Sequence, residues 1–192
     1  MSSKNKIVMD FLLSRRSHSA KTLIDPIPND DSLGKILTAA ARSPDHGKLE
    51  PWRFLILEKK TMSKLANEVS RIGGIRGIDK HKVEKSAATF LKSPLIVAVV
   101  SSPKITERIP LIEQQLSAGA VCLSLLNAAH AEGWGANWLT GWVAYDEMFL
   151  VSVLGLSVNE FVAGFIHIGS PTVDSLERNR PDLQKITSRF TI

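Results

Sequence analysis

A short segment of the chain gathers side chains that can accept protons, donate hydrogen bonds or carry charge. It runs from Pro44 to Phe54 and contains Asp45, His46, Lys48 and Glu50. The two prolines of this segment fix their own backbone and push the residue before them out of helical geometry, which predicts a rigid loop. Rigid loops that present several polar groups commonly bind ligands. We therefore expect a ligand to be held at this loop.

A second segment combines two adjacent cations with a hydroxyl group: Arg15, Arg16 and Ser17. Guanidinium groups form paired hydrogen bonds with phosphate, and a serine hydroxyl can add one more. Alternatively, the two arginines only complement the negative end of a helix dipole, which stabilises a helix by about 0.3–1 kcal/mol each. An Arg-Arg-Ser triplet is common in proteins, so by itself it favours the interpretation that the arginines only stabilise a helix end. Together with the polar loop it favours a phosphate site.

The composition argues against several other kinds of site. The 192-residue chain has a net charge of +5, but its basic residues are dispersed and lack the aromatic interleaving of a nucleic-acid groove. Glycine-rich dinucleotide and Walker motifs are absent. The five histidines are scattered and Cys122 has no partner, so no metal site is predicted. We expect a small phosphate-bearing ligand and no nucleic-acid partner.

Hydrophobic periodicity predicts the elements around the polar loop. A first helix should cover Lys4 to Arg15, and a second should run from cap candidates near Asn29 to Arg42. We expect a strand over Trp52 to Glu58 and then a helix from Lys59 to about Val69, which three glycines interrupt. The interval Ile72 to Lys92, with a short helix around Lys82 to Leu91, is either a mobile cover over a site or an ordinary surface excursion.

The second half of the chain contains the most apolar elements. Leu95 to Val100 is a continuous β-branched run, which predicts a strand in the centre of a sheet. The stretch from Ile112 to Glu132 has no useful polar face, so we expect a helix buried all round, between the sheet and a second subunit. A homodimer follows from that burial. The tail after Pro171 has few apolar anchors, but Leu183, Ile186 and Phe190 could dock on the partner.

The sequence also predicts the last elements, the fold class and the location of the protein. A strand or extended loop should cover Ala136 to Trp142, a short helix should cover Asp146 to Leu154, and the last strand should span Phe161 to Gly169, with His167 a core or edge residue. Alternating helices and strands predict one α+β domain, residues 1–192, with helices on both faces of a mixed sheet. No apolar run is long enough to span a membrane, and no signal-peptide core is evident, so we expect a cytoplasmic protein with a buried thiol at Cys122.

The two polar motifs also resemble a known family. Pro44 to Trp52 resembles the signature of the FMN-dependent nitroreductases, and more closely a small-subunit branch with Pro-Asp-His; Arg15 to Ser17 resembles the Arg-Arg-Ser near that family's N-terminus. The resemblance implies a three-layer α/β/α sandwich and an intertwined homodimer with FMN in clefts at the subunit interface. It also implies NADPH or NADH as electron donor and a small-molecule electron acceptor.

The resemblance further implies a set of site residues. It implies that Arg15, Arg16 and Ser17 contact the flavin phosphate and ribityl chain. Further flavin contacts would come from the polar loop of the same or the other subunit and from the stretch before Trp142. The stretch before Trp134 would be associated with the nicotinamide cofactor. In this sequence the corresponding cofactor-binding residues are Arg15, Arg16, Ser17, Arg42, His46, Lys48, Trp138, Leu139, Thr140, Ala128, Ala129, His130, Ala131, Glu132 and Gly133. No catalytic side chain is implied, because the flavin carries the electrons.

Several residues depart from the family pattern. Lys48 replaces the usual Asn, Glu50 the usual Gln, Leu139 the usual Arg, and Ser19 a common Arg. One possibility is that Lys48 and Glu50 form an ion pair that changes the flavin potential. The favoured function is an NAD(P)H oxidoreductase that acts on nitro compounds or quinones by a ping-pong cycle. Because of these departures, a flavin-fold protein with another role is the alternative: a different dehydrogenation, cofactor processing or FMN carriage. A basic nucleic-acid-binding module has little support.

Overall fold

The computed structural model describes residues 4–191 and contains six α-helices and five β-strands within that range. The helices are α1 (Lys6–Ser14), α2 (Asp30–Ala40), α3 (Lys59–Ile75), α4 (Lys80–Lys92), α5 (Leu111–Ala131) and α6 (Leu183–Ile186). The strands are β1 (Leu23–Ile24), β2 (Trp52–Glu58), β3 (Leu95–Ser101), β4 (Gly135–Leu139) and β5 (Phe161–Pro171). A short π-helix, Phe149–Val153, lies where the sequence predicted an ordinary helix over Asp146 to Leu154.

The sheet is built around β5, which pairs with β1, β3 and β4, while β3 also pairs with β2. β3 is therefore an interior strand, as its apolar run predicted. All of these pairings are antiparallel, so the expectation of a mixed sheet is wrong for the described part of the chain. The physical reason is that two helices, α3 and α4, separate β2 from β3. Two helical passes return the chain to the end of the sheet that β2 has just reached, and β3 runs back beside it.

Two hydrophobic cores form on the two sides of the sheet. Alternate residues of β3 point to opposite sides, because side chains alternate along a strand. Ile96, Ala98 and Val100 belong to a core with α3, α4 and the π-helix. Val97 and Val99 belong to the other core, with α2 and α5.

A glycine contact explains why α3 is longer than the sequence predicted. The glycines after Ile72 do not interrupt the helix, which continues to Ile75. A Cβ added to Gly73 would lie 2.5 Å from Cγ2 of Val83 in α4. Gly73 is thus a contact point between two helices, and its missing side chain lets α3 and α4 approach. Of the three glycines after Ile72, Gly77 has a left-handed backbone, with φ +64°, as a chain reversal requires.

The long helix α5 is not buried all round in the single chain, contrary to the expectation from its composition. Its inner face is fully buried, but Ile112, Leu116 and Leu123 are 58%, 66% and 45% exposed. Tail residues Leu183 and Phe190 are exposed as well. A helix that is apolar on every face is expected to be covered by protein on every face. Within residues 4–191, none of the helices is both long and apolar enough to cross a bilayer.

Two buried polar groups agree with the sequence analysis. Cys122 is a fully buried free thiol, and burial raises its pKa to about 12. His167 is a core residue at 2% exposure, with Nδ1 hydrogen-bonded to the Ser93 hydroxyl at 2.5 Å. Burial lowers the pKa of His167 to about 4, so the ring is neutral near pH 7.

Candidate functional site

A cavity of about 620 Å³ lies between the end of α1, strand β4 and the C-terminal tail. We call it the arginine cavity; it is lined by Arg15, Arg16, Ser17, Ser19, Asn137, Trp138, Leu139, Arg178, Asn179, Arg180 and Pro181. The segment after α1 is fixed to β4 because the His18 backbone N–H donates to the carbonyl of Ala136 at 3.0 Å. Asn137 Nδ2 donates to the carbonyl of His18. These contacts hold the Arg-Arg-Ser motif at the edge of the sheet.

The arginines of this cavity are only partly neutralised. Arg16 Nη1 lies 3.3 Å from Glu177 Oε1, whereas Arg16 Nε and Arg15 Nη1 are buried and have no hydrogen-bond partner. Burial, followed by the nearby charges of Arg180 and Arg16, lowers the pKa of Arg15. Unpaired buried donors are costly unless a ligand satisfies them. Clustered guanidinium groups with free donors suit a phosphate ester, because each can form paired charge-assisted hydrogen bonds.

Two histidines lie next to the arginine cavity. His18 and His130 pack edge to face with ring centroids 5.6 Å apart, and both line a smaller cavity of about 310 Å³ together with Arg15 and Arg16. Burial, and secondarily the adjacent His18, lowers the pKa of His130 to about 4. Burial also lowers the pKa of His18. The pair is therefore neutral near pH 7 and adds no charge to the arginine cluster.

The six residues associated with the nicotinamide cofactor occupy different environments. They form the end of α5 and the turn after it: Ala128, Ala129, His130, Ala131, Glu132 and Gly133. Ala129 is fully buried, so its side chain is not available to a ligand. Glu132 Oε2 accepts a hydrogen bond from Ser32 Oγ at 3.3 Å. His130 and Gly133 line the cavity of about 310 Å³ that Arg15 and Arg16 also line.

The end of β4 separates the arginine cavity from a second large cavity. Trp138 and Leu139 line both, and Thr140 lines the second, which has a volume of about 590 Å³. We call this second space the aromatic cavity, because Phe90, Trp138, Trp142 and Phe165 contribute to its walls. The Trp138 indole donates to the carbonyl of Ala163 at 3.1 Å and lies over Gly164, where an added Cβ would collide with it. A ligand held in the arginine cavity would thus reach the aromatic cavity past Trp138.

The polar loop lies far from the arginine cavity within one chain. His46 Nδ1 contacts Glu113 Oε2 at 2.6 Å, and Ser117 Oγ donates to the carbonyl of Pro44 at 2.7 Å, both near the first turns of α5. His130 is at the opposite end of that helix. At a rise of about 1.5 Å per residue, the two ends are about 25 Å apart. The same chain therefore does not bring His46 to the arginines.

The other residues predicted at the polar loop lie at the same distant end. Arg42 follows the last turn of α2, whose first turn lies near Trp134 because the Trp134 indole donates to Ser32 Oγ. Lys48 and Arg42 are both exposed. Only contact with a second subunit could combine these residues with the arginine cavity.

The backbone of the polar loop is strained. Lys48 has φ 54° and Glu50 has φ 49°, left-handed conformations that side-chain-bearing residues rarely adopt, and Gly47 has φ 74°. The Glu50 N–H donates to Asp45 Oδ2 at 2.6 Å, which closes the loop. No ion pair joins Lys48 to Glu50 in the described structure, so the suggested pairing is not formed in the single chain. Strain of this kind often marks functional loops.

Sequence reasoning missed part of the arginine cavity. Arg178 and Arg180 arrive from the tail, and Asn137 from β4. The signal available was Arg178-x-Arg180 in a segment with few apolar residues. The sequence could not show that this segment returns to the start of the chain, which Ser175 Oγ achieves by donating to the carbonyl of Ser17 at 3.0 Å.

Comparison with known proteins defines the class. The model of the nitroreductase family matches residues 12–170, and the chain therefore belongs to that family. Over 184 residues it is 29% identical to a protein of Escherichia coli strain K12 named "Putative NAD(P)H nitroreductase YdjA", covering 95% of this chain and 98% of that one.

Solved structures share the fold. A nitroreductase-like family protein from Bacillus cereus matches with a TM-score of 0.79 at 22% identity, covering 99% of this chain and 98% of that one. A nitroreductase with bound FMN from Bacteroides fragilis matches with a TM-score of 0.73 at 20% identity, covering 98% of this chain and 100% of that one. The chain thus has the nitroreductase fold.

Proposed function

We propose that this protein is an FMN-dependent NAD(P)H oxidoreductase of the small-subunit nitroreductase branch. It transfers a hydride through the flavin to a nitroaromatic compound, a quinone or a similar acceptor in a ping-pong cycle. The observation that carries the proposal is the set of buried guanidinium donors without partners at Arg15 and Arg16, in a cavity beside β4. The FMN bound by a solved relative and the donor in the name of the Escherichia coli relative support it.

The arginine cavity would hold the phosphate of FMN. Arg15 and Arg16 supply free donors, Ser17 adds a hydroxyl, and Arg178 and Arg180 add charge from the tail. Burial is the main cause of the lowered pKa of Arg15, and the charges of Arg180 and Arg16 add to it; a phosphate would offset those charges. The flavin supplies the redox chemistry when bound, because its ring accepts and gives up the hydride. The residues of the chain bind and orient it.

The end of β4 would position reactants next to the cofactor. Trp138 and Leu139 form an apolar boundary between the arginine cavity and the aromatic cavity, and Thr140 lines the aromatic cavity. Apolar walls exclude water from the reacting centre and strengthen the electrostatic interactions inside it. His130 lines the smaller cavity of about 310 Å³; it is neutral near pH 7 and has no hydrogen-bond partner, so its ring can donate one hydrogen bond and accept another without adding charge.

A homodimer would complete the site. The exposed apolar residues of α5 and of the tail need a cover, and a second copy of the chain supplies one. In this intertwined three-layer arrangement, Arg42, His46 and Lys48 of one subunit would approach the FMN bound to the arginines of the other. The single-chain geometry supports this form of the proposal, because His46 and the arginines lie at opposite ends of α5. The dimer would act in the cytoplasm.

The test of the phosphate role is the Arg15→Ala substitution. Loss of one charge-assisted phosphate contact should weaken FMN binding by about tenfold or more. FMN binding is measured by titrating flavin-free protein and following flavin fluorescence. The control is Arg108→Ala, which removes an exposed arginine that lines none of the described cavities. Equal FMN affinity in both variants would refute the assignment.

The test of the redox role uses the purified protein. The flavin absorption band should bleach on addition of NADPH or NADH and return when a nitroaromatic compound or a quinone is added. A protein that binds FMN but does not bleach with either nucleotide would have the other role considered above, such as FMN carriage.

A further inference from the structure

A buried histidine forms part of the wall of the aromatic cavity. His167 lies in the middle of β5, where it is opposite Ile96 of β3 on one side and Asn137 of β4 on the other. Its side chain is 2% exposed, and it lines the cavity together with Phe90 and Trp142. A polar ring so deeply enclosed is expected to use both of its nitrogen atoms in hydrogen bonds. Within residues 4–191, one of the two nitrogens has a partner.

The end of α4 supplies that partner. Ser93 follows the last residue of the helix, and Pro94 disfavours helical geometry at Ser93, which has φ −70° and ψ 130°. The Ser93 N–H donates to the carbonyl of Phe90 at 3.1 Å. Ser93 is fully buried, and its hydroxyl oxygen lies 2.5 Å from Nδ1 of His167. The contact therefore joins the end of α4 to the centre of the sheet.

The Ser93 hydroxyl fixes which nitrogen of His167 carries the proton. A hydroxyl has one hydrogen to donate, and within residues 4–191 the only acceptor that Ser93 Oγ contacts is His167 Nδ1. If Nδ1 were the donor instead, the Ser93 hydrogen would be buried without an acceptor, which is unfavourable. Nδ1 therefore accepts from Ser93. Because burial keeps the ring neutral near pH 7, its single N–H proton lies on Nε2.

Two N–H donors without acceptors therefore border the aromatic cavity. Nε2 of His167 forms no hydrogen bond in the described part of the chain and is not one of its fully enclosed polar atoms, so it faces the space of the cavity. The Trp142 indole N–H is buried and has no acceptor within residues 4–191. Buried donors are costly unless a ligand supplies acceptors. The aromatic walls and the volume of about 590 Å³ suit a flat ring with oxygen atoms at its edge.

We propose that His167 donates its Nε2–H to a carbonyl oxygen of the flavin ring in the aromatic cavity, and that Ser93 is the positioning residue that keeps it a donor. The inference rests on the proposed function, in which the arginine cavity holds the phosphate of FMN. Trp138 and Leu139 line both cavities, so one molecule with a phosphate at one end and a flat ring at the other would extend along the end of β4. Neither Ser93 nor His167 belongs to the Arg-Arg-Ser triplet or the polar loop.

A hydrogen bond of this kind changes the reduction potential of the flavin. Reduction places additional negative charge on the nitrogen and oxygen atoms of the ring. A donor already directed at one of these atoms stabilises the reduced form more than the oxidised form. The neutral imidazole of His167 provides this stabilisation without bringing a charge into the cavity. The pair therefore raises the potential of the bound flavin.

The test is a titration of the FMN-loaded protein with dithionite and a reference dye, which requires no nicotinamide nucleotide. His167→Leu removes the donor, so the equilibrium between oxidised and reduced flavin should move about tenfold toward the oxidised form, a potential about 30 mV lower for a two-electron couple. His167→Gln keeps an amide donor and should recover most of that shift. An unchanged potential in His167→Leu would overturn the proposal, and so would a shift that His167→Gln fails to reduce.

Ser93→Ala tests the positioning role with a matched control. Without the hydroxyl, Nδ1 can carry the proton, so part of the shift of His167→Leu should appear although the imidazole remains. The control Ser101→Ala also removes a buried hydroxyl, but Ser101 lines neither cavity and its Oγ has no partner within residues 4–191. The potential of the control should equal that of the original protein. Equal potentials in Ser93→Ala and Ser101→Ala would overturn the role of Ser93.

Two further observations separate this inference from the proposed function. Nitrogen-15 NMR of the FMN-loaded protein should find the His167 proton on Nε2, and a proton on Nδ1 would overturn the inference. Flavin that binds and is bleached by NADPH, with equal potentials in the original protein and His167→Leu, would overturn the inference and leave the oxidoreductase function standing. A protein that takes up no FMN would refute the proposed function, and the inference with it.

Discussion

Arg53 and Glu160 illustrate a fully satisfied ion pair, in contrast to the open arginines of the cavity. Arg53 Nε and Nη2 donate to the two carboxylate oxygens of Glu160 at 2.8 and 2.9 Å, and the Ser157 N–H donates to Oε2 at 2.9 Å. The Glu160 side chain is only 7% exposed. The hydrogen bond from Arg53 is the main reason that the pKa of Glu160 is lowered to about 2. Arg15 Nη1 and Arg16 Nε, in contrast, are buried and have no hydrogen-bond partner.

We predict that Arg53→Met lowers the free energy of unfolding at pH 7 by about 1–3 kcal/mol, since it leaves a poorly exposed carboxylate without its guanidinium. The folded pKa of Glu160 lies below its ordinary 4.5, so the pair stabilises fully above about pH 4.5 and loses that stabilisation as the pH falls through about 2. The difference in the free energy of unfolding between the original protein and Arg53→Met should therefore be smaller at pH 3 than at pH 7. Urea unfolding at both pH values measures it.

The control for this prediction is Arg71→Met. Arg71 pairs with Glu68 on the surface of α3, where it is half exposed. Exposed pairs of this kind contribute about 0–1 kcal/mol, so this substitution should change stability little. Equal losses in the two variants would contradict the special role of the Arg53 pair.

At the residue scale the sequence indicated Arg15, Arg16 and Ser17 as a candidate site, and the structure places all three at one cavity, but the sequence did not indicate their surroundings. The sequence indicates Arg15, Arg16 and Ser17 because adjacent guanidinium and hydroxyl groups can form several hydrogen bonds with one phosphate. The packing of His18 on His130 was not predicted. It depends on the backbone contact between His18 and β4, which no local pattern encodes.

At the scale of elements, α3 and α4 are fitted together through Gly73. The sequence analysis treated the glycines after Ile72 as helix breakers, because glycine costs about 1 kcal/mol in a helix interior. The structure shows that this cost permits the close contact with Val83. Strand and helix positions with a strong pattern were predicted well, including β2 at Trp52–Glu58 and the start of α3. The contact between α3 and α4 therefore explains why a glycine at position 73 lies inside a helix.

Two adjacent glycines give a matched test of this contact. Gly73→Ala places a Cβ 2.5 Å from a Val83 methyl, and we expect it to destabilise the protein by about 1–3 kcal/mol through overpacking. Gly74→Ala has open space around the added methyl and should stabilise by about 0.5–1 kcal/mol. Thermal or urea unfolding of both variants measures the difference. Similar effects at the two positions would show that the α3–α4 contact is looser than described.

At the scale of the whole molecule, the distribution of exposed apolar residues is the main sign of assembly. The sequence predicted α5 to be buried all round, and the single chain leaves one face open. Composition alone could not distinguish burial within a chain from burial between two chains, because both require the same residues. The polar loop and the arginine cavity show the same limit: the sequence predicts that both contribute to one site, and in the single chain they lie at opposite ends of α5.

We predict that Leu116→Glu disrupts the proposed dimer. Leu116 is 66% exposed in the single chain, so a glutamate there is tolerated by the fold but places a charge inside a subunit contact. Light scattering should give a mass near the 21.1 kDa of one chain, and FMN affinity should fall in parallel. The control Ile75→Glu, at an exposed apolar position at the end of α3, should leave the mass at that of the original protein. A dimeric Leu116→Glu variant with normal FMN binding would place the subunit contact elsewhere.

The single thiol of the chain has a practical consequence. Cys122 is fully buried, its pKa is about 12, and its sulfur would lie 3.0 Å from a Cβ added to Gly164 on the adjacent strand. A thiol so enclosed is protonated and out of reach of alkylating reagents, which attack the thiolate. The rate at which such a reagent labels the protein therefore reports how often α5 separates from the sheet. The natural cysteine can thus be used as a probe of the opening of the core, and no probe needs to be engineered.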